Sequence, residues 1–264
     1  VEQGLAQTGT CRQSSVVWDI GPAEEYHVFS RWYRDAGSPY ISALVISHTH
    51  SDHYGGLVGL DTTIRFSGRI VTSAYADTGL LRRYTARTWR DHIFFTPVCR
   101  GDTLDGLDDV TIHCLWPPRT LQPTVPITDS FRNHAGLVFS VHHGHTSFLL
   151  TADIDTAATR MLSLPGHNMD TAVHIARYVA KPTPVQAHTC LVLPHHGGMD
   201  GFDPVFCGYV DPEIAVISCA RDNTYGHPFS GYHTLLAQMQ VQIHATYATG
   251  TCTFTSNGAY VTCR

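Results

Sequence analysis

Four apolar runs in this chain stop at histidine or aspartate, and that pattern limits the folds open to it more than any other feature. Ala43-Leu44-Val45-Ile46-Ser47 runs into His48-Thr49-His50-Ser51-Asp52-His53, and Ser147-Phe148-Leu149-Leu150-Thr151-Ala152 runs into Asp153. Cys190-Leu191-Val192-Leu193 runs into Pro194-His195-His196-Gly197-Gly198, and Ala215-Val216-Ile217-Ser218 leads through a loop to Tyr225-Gly226-His227-Pro228. Apolar runs this short read as buried strands. Strands that all deliver polar groups at their C-terminal ends gather them along one edge when they lie side by side in a layered α/β domain.

The rest of the chain fits such layers. Strands are expected at Val16–Ile20, Ala43–Ser47, Arg69–Ser73, Val110–Leu115, Leu137–Val141, Ser147–Ala152, Cys190–Leu193 and Ile214–Ser218, with a final hairpin over Thr251–Ser256 and Ala259–Cys263. Helices are expected at Ala23–Ala36, Asp77–Trp89, Asp155–Leu162, Thr171–Ala180 and Phe229–Gln240. The one long irregular stretch, Trp116 to Arg132, contains Pro117, Pro118, Pro123 and Pro126, and its position predicts an active-site wall. With 264 residues and 43% hydrophobic content, a sizeable core and one domain over 1–264 are expected.

Composition excludes several classes. A net charge of −5 argues against a general polyanion binder. No apolar run approaches about 18 residues, so no transmembrane helix is expected. Val1 to Thr10 lacks the charged and apolar segments of a signal peptide. The eight cysteines (Cys11, Cys99, Cys114, Cys190, Cys207, Cys219, Cys252 and Cys263) include no C-x-x-C pair, which argues against a thiolate zinc site. Their even number favours disulfides and an exported protein. A two-residue turn at Asn257-Gly258 would set Cys252 opposite Cys263, at disulfide distance.

Histidine is the outlier, with 18 residues. In H-x-H-x-D-H, imidazoles two positions apart in an extended turn point the same way, and the Asp52-His53 pair turns toward a second point. Such a cluster suits two metal ions, each with nitrogen and oxygen ligands and an open position. Asp153 is placed to bridge them. If its strand turns back at His143-Gly144, Asp153 lies opposite His134, and a one-residue slip would put Asn133 there. The same hairpin carries His142, His143 and His145 to the far end of the strands.

The order H-x-H-x-D-H, strand-Asp, PHHGG, Tyr-Gly-His-Pro resembles the metallo-β-lactamase superfamily over the chain from about Val16 onward. It is most similar to the hydrolase domain of ComEC-type DNA-uptake proteins and to secreted phosphorylcholine esterases. The resemblance implies an α/β fold of four αββα layers with mixed sheets and a site at one edge. It also implies that Asp19 orients the histidine loop, that His48 and His50 bind one metal, and that Asp52 and His53 bind the other. Asp153 would bridge, His196 (or His195) would complete the first site and His227 the second. The remaining histidine of the pair would contact the substrate. The relatives read Gly-Asp where this chain has Ala152-Asp153, and N-x-x-S where it has Asn133-His134-Ala135-Gly136, leaving His134 as either ligand or bystander.

Two divalent ions, Zn²⁺ or Mn²⁺, would lower the pKa of a water for attack on a bound ester. Asp52 or Asp153 would accept its proton, and His195 and Tyr225 would stabilise the developing oxyanion. The resemblance implies phosphoester or phosphodiester substrates, small or polymeric, nucleic acid included. Arg83, Arg87 and Arg90, expected on one face of a helix, would attract phosphate. A lactone, ester or β-lactam hydrolase is the alternative, and a catalytically silent binding protein is the third reading.

Overall fold

The computed structural model describes residues 5–7, 14–105, 107, 109–122, 127–163 and 189–264. Its strands form two large sheets. The first holds β1 (Leu5–Gln7), β2 (Ser14–Trp18), β3 (Tyr40–Ile46), β4 (Arg69–Ser73) and β5 (Phe94–Val98) in that spatial order. Strands β2 to β5 run parallel, and β1 is antiparallel to β2.

The second sheet holds β6 (Thr103–Leu104), β7 (Val110–Trp116), β8 (Val138–His143), β9 (Thr146–Leu150), β10 (Thr189–Val192), β11 (Ile214–Ile217) and β12 (Gln242–Ala245). It is antiparallel from β6 to β9 and parallel from β9 to β12, with its order running from β12 back to β6. A separate hairpin, β13 (Phe254–Ser256) with β14 (Val261–Cys263), follows.

The helices are α1 (Tyr26–Asp35), α2 (Ser51–Tyr54), α3 (Thr78–Tyr84), α4 (Asp129–His134), α5 (Thr156–Ser163), α6 (Pro204–Val210), α7 (Ser230–Gln238) and α8 (Thr246–Thr249).

Successive strand residues point to opposite faces, so a strand apolar throughout feeds two cores at once. In β3, Ala43 and Val45 join Trp18, Phe139, Leu150, Val192 and Val216 between the sheets. Leu44 and Ile46 point outward, against Phe29 and Tyr33 of α1 and Leu81 of α3. In β10 and β11, Leu191, Ala215 and Ile217 face Leu162 of α5, Phe206 of α6 and Tyr232 of α7. Helices cover one sheet, the two sheets pack face to face, and helices cover the other, giving the four αββα layers expected. Each fully buried branched side chain, such as Ile46 or Leu191, contributes roughly 1.5–3 kcal/mol. No helix among the described residues is long and apolar enough to cross a membrane.

Both hairpin registers differ from expectation. The β8–β9 turn is Gly144-His145, because His143 pairs with Thr146 and Gly144 takes the positive φ of 57° that the turn requires. His134 therefore does not lie across from Asp153; it ends α4. The last turn is Gly258-Ala259, with Gly258 at φ 84°. Asn257 sits before it, its Oδ1 accepting from the backbone N–H groups of Ala259 and Tyr260. Cys263 consequently pairs with Phe254 rather than facing Cys252, and both thiols are free, as are Cys99, Cys114, Cys190, Cys207 and Cys219. Cys11 and the helix expected at Thr171–Ala180 lie outside the described residues.

The helix expected over Asp77–Trp89 stops at Tyr84, so Arg83, Arg87 and Arg90 do not share a helical face. Arg90 instead donates to the carbonyls of Arg83 and Thr85, closing the end of α3. Arg82 donates to the carbonyl of Arg90 and lies over the Phe95 ring.

Candidate metal centre

Five strand ends meet at one edge of the two sheets. Asp19 follows β2, the His48–His53 segment follows β3, Asp153 follows β9, His195-His196 follows β10, and His227 lies on the loop after β11. Asp153 is the hub. Its Oδ2 lies 3.2 Å from His53 Nε2, 3.4 Å from His196 Nε2, 3.7 Å from His195 Nε2 and 3.8 Å from His48 Nε2.

Each of these rings has a partner at its other nitrogen, through hydrogen bonds for His53, His196 and His48 and through an ion-pair contact alone for His195. His53 Nδ1 donates to Asp19 Oδ2 at 2.8 Å and His196 Nδ1 to the Ser218 carbonyl at 2.9 Å. His195 Nδ1 lies 2.6 Å from Asp200 Oδ2, and His48 Nδ1 lies 3.1 Å from Ser47 Oγ. Such partners fix both the tautomer and the direction of the ring, leaving Nε2 to face the centre. Asp19 also accepts from the Ser47 N–H and hydroxyl, both at 2.8 Å, so one buried carboxylate anchors the whole histidine loop.

The backbone is strained to present these groups. Asp19 (φ 54°), Ala152 (φ 47°), His195 (φ 47°) and His196 (φ 57°) are all left-handed without being glycine. Residues held this way cost on the order of 1–3 kcal/mol each and cluster at functional sites. Hydrogen bonds hold them: Asp19 N to the Val45 carbonyl at 2.8 Å and His195 N to the Ala152 carbonyl at 3.0 Å. Gly56 allows the first of these turns to close, since a Cβ there would stand 2.5 Å from the Ile20 carbonyl oxygen.

Electrostatics divides the rings into two kinds. Burial, then neighbouring His53, holds His48 well below the usual histidine range. Burial acts the same way on His53, but the Asp153 and Asp19 carboxylates outweigh it and hold that ring well above the range. Burial is likewise overridden at His196, which Asp153 and Asp52 raise to about 9. Asp153, despite its burial, is held well below the carboxylate range by His53 and His196.

One ligand atom each from Asp52, His53, Asp153 and His196 lie within 4.8 Å of one another. Beside this set, His48 Nε2 lies 3.1 Å from His50 Nδ1. Asp153 Oδ1 and His50 Nε2 are buried without a hydrogen-bond partner among the described residues. Buried polar atoms are normally satisfied, so the orphaned oxygen of the hub fits a cation. The donors are all nitrogen and oxygen, a set that suits Zn²⁺ or Mn²⁺.

The set of four groups His196 with Asp52, His53 and Asp153. His196 was expected to share a metal with His48 and His50; its Nε2 also stands 3.5 Å from Asp52 Oδ2. His227 is not in the set of four, and its ring centroid lies 6.0 Å from that of His196 and 5.5 Å from that of His195. Tyr225 is 77% exposed and stacks on His227 at 5.8 Å, outside the centre. His134 is turned away, its Nδ1 donating to Asp155 at 2.8 Å. Asn133 is buried with an unpartnered Oδ1, its backbone carbonyl accepts from the Gly136 N–H at 2.9 Å, and a Cβ on Gly136 would stand 3.8 Å from the Cβ of His48. The proline-rich stretch reaches the centre at its described end, where Asp129 Oδ1 lies 3.6 Å from His50 Nε2.

Three supporting residues escaped the sequence reading. Asn223 holds the His227 loop by accepting from the His227 N–H at 3.0 Å and donating to its carbonyl at 2.7 Å. Ser218 acts through its carbonyl, which any residue would offer. Asp200 looked like an ordinary loop aspartate.

No family model matches the chain. The chain is 23% identical over 250 residues to ComE operon protein 3 of Bacillus subtilis (strain 168). The match covers 92% of this chain but only 28% of that protein's length. Among solved structures, the metallo-β-lactamase fold protein YhfI from Bacillus subtilis superposes with a TM-score of 0.50 at 11% identity, covering 99% of this chain and 95% of that one. The metallo-β-lactamase FIM-1 from Pseudomonas aeruginosa, in its mono-zinc form, gives a TM-score of 0.38 at 12% identity, covering 66% of this chain and 70% of that one.

Proposed function

The chain has the metallo-β-lactamase fold, and from that premise we propose that it is a binuclear metal-dependent hydrolase of phosphoester or phosphodiester bonds. The observation that carries the reading is the convergence of four imidazole Nε2 atoms on Asp153 Oδ2, with Asp153 Oδ1 left unpartnered. Asp52, His53, His196 and Asp153 would hold one cation. His48 and His50, sharing Asp153, would hold the other; His134, whose Nδ1 donates to Asp155, is left out of it. Two divalent cations, Zn²⁺ or Mn²⁺, would supply Lewis-acid charge and an acidified water.

The chain's own residues perform the rest. Asp52, 38% exposed at the mouth, is the group placed to take a proton from the attacking water. His195 faces the centre from outside the ligand set and binds a phosphoryl or leaving oxygen. Tyr225 and His227 form a stacked wall at the rim, so Tyr225 contacts substrate beyond the reacting atoms rather than the oxyanion. The phosphoester class rests on the motif order shared with ComEC-type and phosphorylcholine-esterase domains.

The test is parallel assay of bis-p-nitrophenyl phosphate, p-nitrophenylphosphorylcholine and nitrocefin with the Zn²⁺- or Mn²⁺-loaded protein. Hydrolysis of a phosphodiester, lost on metal removal, is expected. Turnover of nitrocefin alone would overturn the reading in favour of a β-lactam hydrolase.

A further inference from the structure

One carboxylate at the centre has no place in the ligand set. Asp200 lies on the short turn Met199–Gly201, just past Gly197-Gly198, and its Oδ2 is 2.6 Å from His195 Nδ1. Its side chain is 55% exposed, so burial does not hold it there. The loop is shaped around the contact. A Cβ on Gly198 would stand 2.9 Å from both the His195 carbonyl oxygen and Asp200 Oδ1 and 2.6 Å from His227 Cε1, so glycine leaves room for the loop to close here. At the other side of that ring, Nε2 points inward, 3.7 Å from Asp153 Oδ2. His195 thus offers the reaction centre a nitrogen that the four-ligand set does not use.

We propose that Asp200 is a positioning residue: its carboxylate, in ion-pair contact with His195 Nδ1, holds the doubly protonated ring so that Nε2–H donates a hydrogen bond to the leaving oxygen of a bound phosphoester. The proposal rests on the phosphoester reading above. Negative charge builds on the leaving oxygen as its bond to phosphorus breaks, and more of it builds when that oxygen is strongly basic. Loss of the positioned donor therefore costs most with a poor leaving group, and it acts on kcat rather than on KM. A purely structural role for Asp200 would lower activity on all substrates alike.

The test compares wild type, Asp200→Asn and Asp200→Glu, all metal-loaded, on bis-p-nitrophenyl phosphate and on diphenyl phosphate, whose leaving group is poorer. Asp200→Asn is expected to lose roughly 10- to 100-fold in kcat on diphenyl phosphate, the range typical of groups that orient a reacting side chain. The loss on bis-p-nitrophenyl phosphate should be under about threefold and KM should hold within about twofold. Asp200→Glu should recover part of the loss. In the metal-free protein, long-range ¹H–¹⁵N spectra should show the His195 ring signals shifted in Asp200→Asn while those of His53 and His196 stay in place. Equal losses on both diesters, no loss, or unmoved His195 signals would overturn the proposal. A wild type that hydrolyses neither diester defeats the phosphoester reading and the proposal together; a wild type active on both, with the substrate ratio unchanged in Asp200→Asn, defeats the proposal alone.

Discussion

Replacing Asp19 by asparagine changes one atom and should weaken one metal site without unfolding the protein. Asp19 accepts three bonds: Oδ1 from the Ser47 N–H, and Oδ2 from both the Ser47 hydroxyl and His53 Nδ1. Asparagine keeps an oxygen for the Ser47 N–H and puts an amide NH₂ where Oδ2 was. That NH₂ satisfies His53 only if the ring moves its proton to Nε2. The ligand lone pair is then gone, and an N–H points at Asp153 Oδ2, 3.2 Å away. Binding a cation would force the proton back to Nδ1, setting two N–H groups face to face and forfeiting a hydrogen bond to a charged group, worth roughly 1.5–3 kcal/mol. At about 1.4 kcal/mol per factor of ten, affinity at the Asp52/His53/His196 half should fall roughly 10- to 100-fold. Competition against a chromogenic chelator measures this, with thermal unfolding of the metal-free proteins as the control. Wild-type affinity in a folded D19N protein would show that Asp19 does not set the His53 tautomer.

Metal affinity should climb with pH up through about 9, because His196, raised to about 9, and His53, held well above the histidine range, must shed protons to bind; a flat profile in chelator competition would contradict this. The metal-free protein should behave oppositely: a raised histidine contributes stability below its normal pKa and loses it as pH rises through about 9, so its denaturation midpoint should fall over that window. Ala152→Gly should stabilise the protein by about 0.5–1 kcal/mol in urea titration, since relief of a left-handed alanine, about 1–2 kcal/mol, exceeds the added freedom of the unfolded chain, about 0.4–1 kcal/mol. Tyr232→Phe, which removes a fully buried hydroxyl donating to the Gly201 carbonyl at 2.8 Å, should cost about 1–3 kcal/mol in the same assay, because the carbonyl is left unsatisfied.

Much of this architecture was legible in the sequence because the inner strands are apolar on both faces and stop at their ligands. Arg69–Ser73 matches β4 to the residue, and the other expected strands shift by one to three positions at an end. What escaped has physical reasons. Edge strands β5 and β12 need little apolar pattern; β5 even contains Pro97, which an edge tolerates. Helix α6 had a signal that passed unread, Asp203 capping a helix that begins at Pro204. The two hairpin registers failed for a shared cause. In each, glycine takes the first turn position, so the turn centre lies one residue further along than the sequence pattern implied, and every cross-strand pairing moved with it. That shift undid both the His134–Asp153 and the Cys252–Cys263 pairings. How His195 and His196 face the centre depends on consecutive left-handed residues, a conformation that no local preference of histidine predicts.

The hub at Asp153 has a consequence for the protein as a mechanical object. Asp19 and the His48–His53 loop hang from the first sheet, whereas Asp153, His195 and His196 hang from the second. Between their inner faces lies an apolar seam, whose attraction is non-directional, with the Leu137 N–H bonded to the Ser47 carbonyl near the edge. A cation gripped at the edge by His53 from one side and by His196 from the other, with Asp153 between them, would act as a rivet, pinning the two halves of the chain in register at the place where register matters to the chemistry.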